Sequence, residues 1–392
     1  MSQNSTPVLA LGMHRSGTSF LASLLAGLGV HMGESLLAPD AGNPRGYFEE
    51  LSILAFHKKL LSTRMGNAQT RADFLPRAGF SPAWSDEERA EAKALIAKLA
   101  RPGFWGWKEP RSCLFLPQWL ELLPDARCVA VFRHPLEIYY SFLKRGDWSA
   151  LFAPESIFEA CAMYNESIMA AREAAPERFM VLDAAIAFRD ISALSQKLAS
   201  FLGMEAPDLS SLPKFATEEF SSLGIVPEQH ELMSHVYPGA GWTYERMQAI
   251  AEQAAPFASD CDAAPLPPAL MDPINAAAAA DRENHPSGKG RIQLGQAIID
   301  AFCLNLPQER ISNLRSNIAA KVEAEHAKLA AERDEYIGLF EKYKTMYENY
   351  FEAWKGSDRT LTETRLWIDS DLKPKIDRWR KQLQDAGIAY EE

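Results

Sequence analysis

The chain has 392 residues and a formal net charge of −11, which argues against general nucleic-acid binding and requires any anionic ligand to be held by locally placed basic groups. Hydrophobic residues make up 47% and charged residues 24%, the balance of a soluble globular protein, and the length predicts two or three domains. Five scattered cysteines without a C-x-x-C pair point to buried thiols in a reducing compartment rather than to disulfides or a zinc site.

The first apolar segment, PVLALGMHRSGTSFLASLLAGLGV, lacks a basic leader and carries His14 and Arg15 in its middle. It is therefore read as strand, loop and helix instead of a signal peptide or transmembrane span, and a cytoplasmic location is expected. Pro7 to Leu11 suits a buried parallel strand. Phe20, Leu21, Leu24, Leu25 and Leu28 recur at helical spacing, predicting a helix from Ser19 to Leu28. A helix is expected over 51–62, and another over 85–100 with Ser85 as its cap. Strands follow at 104–108 and 127–132, separated by a helix around 112–123, with further helices near 135–145 and 155–174. A short strand at 179–182 and a helix at 191–202 complete the pattern. Strands alternating with helices predict an α/β fold, a P-loop-type parallel sheet flanked by helices.

Composition changes near residue 255. The expected organisation is a nucleotide-binding type domain over 1–255, an Ala/Pro-rich linker over 256–305 and a long amphipathic helical region over 306–392. Apolar positions from Ile311 to Trp354 follow three-four spacing, enough for a helix about 66 Å long. Such a stripe must be covered, either by a helical hairpin within the chain or by self-association into a homo-oligomer.

GMHRSGTS, residues 12–19, has the glycine spacing of a phosphate loop, but Thr18 stands where nucleotide hydrolases and kinases place lysine. What remains is still an anion cradle: backbone N–H groups at a helix start, the Arg15 guanidinium, and hydroxyls at Thr18 and Ser19. In VAVFRHPLEIYYSFLKR, a predicted strand ends in Arg133 and the next helix carries Ser141. Both can converge on a second phosphate at the carboxyl edge of the sheet. Two anion sites imply a ligand phosphorylated at two places.

RSGTS after a first strand, WKEPR at 107–111, and FRHP with Ser141 eight residues beyond Arg133 together resemble the P-loop sulfotransferases. The bacterial branch and the tyrosylprotein sulfotransferases are the most similar in pattern. The resemblance spans residue 7 to about 205 and implies the donor 3′-phosphoadenosine 5′-phosphosulfate, with no metal required. It implies that Arg15, Ser16, Gly17, Thr18 and Ser19 hold the 5′-phosphosulfate, and that Arg133 and Ser141 hold the 3′-phosphate. Two departures stand out. LDAAIAF replaces the family's Tyr-Glu-Asp-Leu-like segment, and GKGR at 288–291 is a weak counterpart of its late basic loop.

Sulfuryl transfer needs a base for the acceptor's proton and cations around the sulfonyl oxygens. Lys108, at a predicted strand end, is the candidate cation beside Arg15, and the tyrosylprotein branch has a lysine in a similar context. Arg111 is a second candidate. Glu49 leads as base, with Glu50, Glu34 and His57 as rivals. The aromatic residues Phe74, Phe80, Trp84, Tyr237, Trp242 and Tyr244, in segments read as loops at 63–84 and 215–245, are candidates for an acceptor pocket or for core. The acceptor itself, whether carbohydrate, lipid or peptide, stays open. Other readings are a kinase-like P-loop enzyme and a non-catalytic scaffold acting through its C-terminal helix.

Overall fold

A computed structural model describes residues 5–252, apart from 40–45, 66–73, 76–79, 146–153, 206–224 and 226, and a few isolated positions between 316 and 345. The chain divides into two compact units, Met1–Ile311 and Ser312–Glu392, and the sheet belongs to the first. The expected linker over 256–305, the GKGR loop and the long C-terminal helix lie outside the described residues.

Four parallel strands, β1 (Ser5–Leu11), β2 (Gly103–Lys108), β3 (Arg127–Phe132) and β4 (Phe179–Asp183), form a sheet in the order β2-β1-β3-β4. The helices are α1 (Thr18–Gly27), α2 (Leu51–Met65), α3 (Asp86–Leu99), α4 (Leu116–Leu122), α5 (Pro135–Arg145), α6 (Pro154–Ala174), α7 (Ala184–Ala187), α8 (Ile191–Leu202), α9 (Pro227–Val236) and α10 (Pro238–Ile250). The strands are nearly continuous apolar runs because both of their faces are covered. Val8, Ala10, Val129, Val131, Met180 and Leu182 share one face and pack with Leu21, Leu24 and Leu25 of α1 and Leu194 and Leu198 of α8. On reaching Lys108, Leu11, Phe132 and Asp183 the strands end along one edge, with Ala10 opposite Lys108 and Phe132 opposite Asp183.

Local chemistry accounts for the helix boundaries. Ser85 caps α3 by a capping box: its Oγ accepts from the Glu88 N–H at 3.2 Å while its own N–H donates to the Glu88 carboxylate at 2.8 Å. Asp190 accepts from the Ala193 N–H at the start of α8, and Gly203 ends it with a left-handed φ of 73°.

Two expectations need correction. The single helix near 112–123 is a 3₁₀ turn over Pro110–Phe115 followed by α4; Pro117 has no N–H to donate, so the α-helical ladder restarts around it. The loop expected at 215–245 is, where described, mostly the helix pair α9 and α10, each opening on a proline. Tyr244 is buried there and Trp242 is 51% exposed.

Two loops cover the outer edge of β2. His31 bridges to the strand through its N–H to the Phe104 carbonyl and its carbonyl from the Gly106 N–H, both at 2.9 Å. Further along, Glu49 forms an isolated bridge with Lys108. That bridge brings the GYFEE segment to the carboxyl end of the sheet.

Candidate active site

The strand order changes direction between β1 and β3, and the glycine loop leaves β1 at that point, where open α/β sheets bind ligands. Gly12, Arg15 and Gly17 have φ values of 142°, 67° and 103°, conformations in which successive N–H groups turn to one side. Little else fits here: a Cβ on Gly12 would lie 2.2 Å from the Val131 carbonyl oxygen, and one on Gly17 would lie 2.5 Å from the Phe188 ring.

The loop is tied down on three sides. The Gly12 N–H donates to Cys113 Sγ at 3.3 Å. Ser16 Oγ donates to the carbonyls of Met13 and Val131 at 2.6 and 3.2 Å, so its buried hydroxyl serves the loop's own shape. Ser19 Oγ donates to the Tyr47 carbonyl at 3.1 Å, linking α1 to the GYFEE segment. Thr18 is buried in the first turn of α1.

Arg15 points toward α5, where its Nε donates to Ser141 Oγ at 2.9 Å. Arg133, at the end of β3, donates through Nε to the Glu137 carboxylate at 3.0 Å, one turn into α5. The residues expected to hold two separate phosphates are thus joined through a single helix.

Lys108 and Glu49 meet at the end of β2, Nζ to Oε1 at 2.7 Å, with side chains 2% and 7% exposed. Burial lowers the Lys108 pKa, opposed by Glu49. Removing either partner would strand a buried charge, a loss on the order of 3 to 5 kcal/mol. Next to them, burial works against ionisation of Glu109, but Arg111 and His57 outweigh it and hold the carboxyl well below its usual range. Arg111 Nη1 donates to Glu109 Oε1 at 2.6 Å.

The rival bases are engaged elsewhere. Both nitrogens of His57 are in use: Nε2 accepts from Trp119 Nε1–H at 3.0 Å, and Nδ1 therefore carries the proton given to Glu109. Glu50 accepts four hydrogen bonds, from the N–H groups of Glu34, Ser35 and Ser52 and from Ser52 Oγ. Burial opposes its ionisation, yet those bonds hold its pKa low. Glu34 is exposed and hydrogen-bonded to Arg101, which lowers its pKa.

Of the aromatic candidates, Trp84 belongs to the core, packed edge-on against Phe56 and Trp119 with ring centroids 5.4 and 4.9 Å away. Phe74 lies at the site, 5.5 Å from the His14 ring. His14 Nε2 is buried and has no hydrogen-bond partner among the described residues; burial, then Arg111, lowers its pKa. In the sequence His14 and His134 are visible only as the neighbours of Arg15 and Arg133, and nothing singles out His230. The pairing of His134 with His230 joins positions 96 residues apart, and no local pattern signals it. Among the described residues, Cys113, Cys128 and Cys161 are free and buried, and burial pushes the first two thiols up to about 12.

The class is set by where these groups sit: an α/β domain with its cationic and hydroxyl side chains gathered at the carboxyl edge of a parallel sheet. Within that class the chain belongs to the sulfotransferase family, whose profile matches residues 7–208. Solved structures similar to it include the sulfotransferase domain from the curacin biosynthetic pathway (17% identity, 55% of this chain and 80% of that one, TM-score 0.33). Sulfotransferase STF9 from Mycobacterium avium is 19% identical over 62% of this chain and 74% of its own, with a TM-score of 0.34. A sulfotransferase from Alicyclobacillus acidocaldarius is 15% identical over 61% and 94%, with a TM-score of 0.37. No curated protein matches the chain. Among the described residues no helix is long and apolar enough to cross a membrane.

Proposed function

We propose that the protein transfers a sulfuryl group from 3′-phosphoadenosine 5′-phosphosulfate to a hydroxyl or amine of an acceptor. The observation that carries this reading is the Arg15–Ser141 contact, because it sets the loop arginine beside the helix that follows Arg133. A left-handed glycine loop, one arginine just before α5 and another bonded to Ser141 midway along it suit a small ligand charged at both ends.

When bound, the donor supplies an activated sulfuryl group on a phosphosulfate linkage. Arg15 and the loop N–H groups hold that end, and Arg133 and Ser141 hold the 3′-phosphate. Glu49 takes the proton from the acceptor as its oxygen or nitrogen bonds to sulfur, and the electron pair of the breaking sulfur–oxygen bond leaves with the phosphate. Lys108 fixes the Glu49 carboxylate and places an ammonium charge beside the transferring group. Such groups act by position and fixed charge. The buried thiols of Cys113, Cys128 and Cys161 support a reducing, cytoplasmic setting.

Calorimetry with adenosine 3′,5′-bisphosphate tests the donor site: saturable binding is expected, and its loss in Arg133→Ala. No heat from the unmodified protein would refute the reading. Transfer of labelled sulfuryl groups across a panel of hydroxyl and amine compounds then identifies the acceptor.

A further inference from the structure

The helix pair α9 and α10 lies beyond the span matched by the family profile, yet it reaches the turn that carries Arg133. The Leu136 N–H donates to His134 Nδ1 at 3.2 Å, so that nitrogen bears no proton and the neutral ring is protonated at Nε2. From Nε2 the ring donates to His230 Nδ1 at 3.1 Å. The same reasoning puts the proton of His230 on Nε2, which donates to the Glu245 carboxylate at 3.0 Å. Tautomers and directions are fixed along the whole chain, from backbone N–H to carboxylate. Tyr244 of α10 closes over His134, with ring centroids 4.6 Å apart. Burial, then His230 and Arg133, lowers the His134 pKa and keeps the ring neutral.

His134 also shapes the turn itself. Its carbonyl accepts from the N–H groups of Glu137 and Ile138 at 2.9 and 3.1 Å, starting α5, and Glu137 orients the Arg133 guanidinium. A ring held at both nitrogens cannot rotate without breaking one of these bonds. We propose that His230, oriented by Glu245, is a positioning residue for the donor site: it locks the His134 ring and so the 133–137 turn that presents Arg133. The proposal rests on the reading of Arg133 as the contact for the 3′-phosphate.

The test exploits the two ring nitrogens. Asparagine places its side-chain oxygen near the position of Nδ1 and can accept from His134; glutamine places its amide near Nε2, serving Glu245 and leaving His134 without an acceptor. Binding of adenosine 3′,5′-bisphosphate to the full chain is measured by calorimetry for His230→Asn, His230→Gln, Glu245→Ala and Arg133→Ala, with thermal midpoints alongside. His230→Gln is expected to weaken binding about fivefold to tenfold, the worth of one hydrogen bond, while His230→Asn, which keeps the bond to His134 and loses only the one to Glu245, weakens it no more than about threefold. Binding of 5′-AMP, which lacks the 3′-phosphate, is expected to be equal in both. Glu245 is exposed, so Glu245→Ala is expected to fold normally and weaken bisphosphate binding about threefold. Equal binding by His230→Asn and His230→Gln, or equal losses for bisphosphate and 5′-AMP, would overturn the proposal while leaving the donor site intact. Undiminished binding by Arg133→Ala would instead overturn the donor-site reading, and the proposal with it.

Discussion

Arg15 and Ser141, 126 residues apart in sequence, are joined by a 2.9 Å hydrogen bond from Nε to Oγ. This bond ties the glycine loop to α5. If both side chains hold the donor, Ser141→Ala removes one hydrogen bond to the ligand and loosens Arg15. Bisphosphate binding is expected to weaken about tenfold, with the thermal midpoint shifted by no more than a few degrees because Ser141 is only partly buried. Calorimetry and a melting curve on the same preparation check this. Unchanged affinity would remove Ser141 from the donor site.

Glu49 and Lys108 make opposite demands on a test. Truncating either leaves a buried charge unpaired, so loss of activity could reflect loss of the fold. Glu49→Gln keeps the shape and an oxygen that accepts from Lys108, but is a far weaker base. Turnover is expected to fall at least about a hundredfold, the lower range for general-base catalysis, while bisphosphate affinity stays within about twofold. Turnover near that of the unmodified protein would remove Glu49 as the base.

Much of the sheet was legible because its signals are local. Val8 to Leu11, Val129 to Phe132 and Met180 to Leu182 are continuous apolar runs, and the strands found there agree with the expectation to within a few residues. The helix pair at 227–250 was not legible, since its apolar positions follow no wide stripe and its prolines suggest loop unless read as helix starts. In the candidate site, Arg15 and Lys108 could be singled out by neighbouring glycine or strand-end position. The Lys108–Glu49 ion pair depends on an isolated bridge between segments 59 residues apart. The commitments of His57 and Glu50 depend on tertiary hydrogen bonds in the same way.

Gly17 lets the loop turn into α1. Its φ of 103° lies where L side chains are strained, and an added Cβ would sit 2.5 Å from the Phe188 ring, which itself packs edge-on against Phe20 at 4.6 Å. Gly17→Ala therefore combines backbone strain with overpacking, each costing about 1 to 3 kcal/mol. A lower thermal midpoint with impaired bisphosphate binding is expected. The double variant Gly17→Ala with Phe188→Ala should recover part of the binding but not the strain. Full binding by Gly17→Ala alone would mean that the loop tolerates another shape.

Asp183 offers a test through pH. It ends β4, where burial, reinforced by Glu137, pushes its carboxyl up from 3.8 to about 6, against the hydrogen bonds from the Ala185 N–H and Gln248. A carboxyl whose pKa is raised on folding binds its proton more tightly in the native state. Its contribution to stability is therefore complete below about pH 4 and is lost as pH rises through about 6. At neutral pH the ionised, buried side chain opposes folding by about 3 kcal/mol at most, from a shift of about two units. Asp183→Asn keeps an oxygen for the Ala185 N–H, 2.9 Å away, and cannot ionise. The variant is expected to melt several degrees higher than the parent at pH 8 and at nearly the same temperature near pH 4. The pH dependence carries the argument: an equal gain at both ends would trace the effect to packing, and no gain at pH 8 would mean that Asp183 ionises freely in the folded protein.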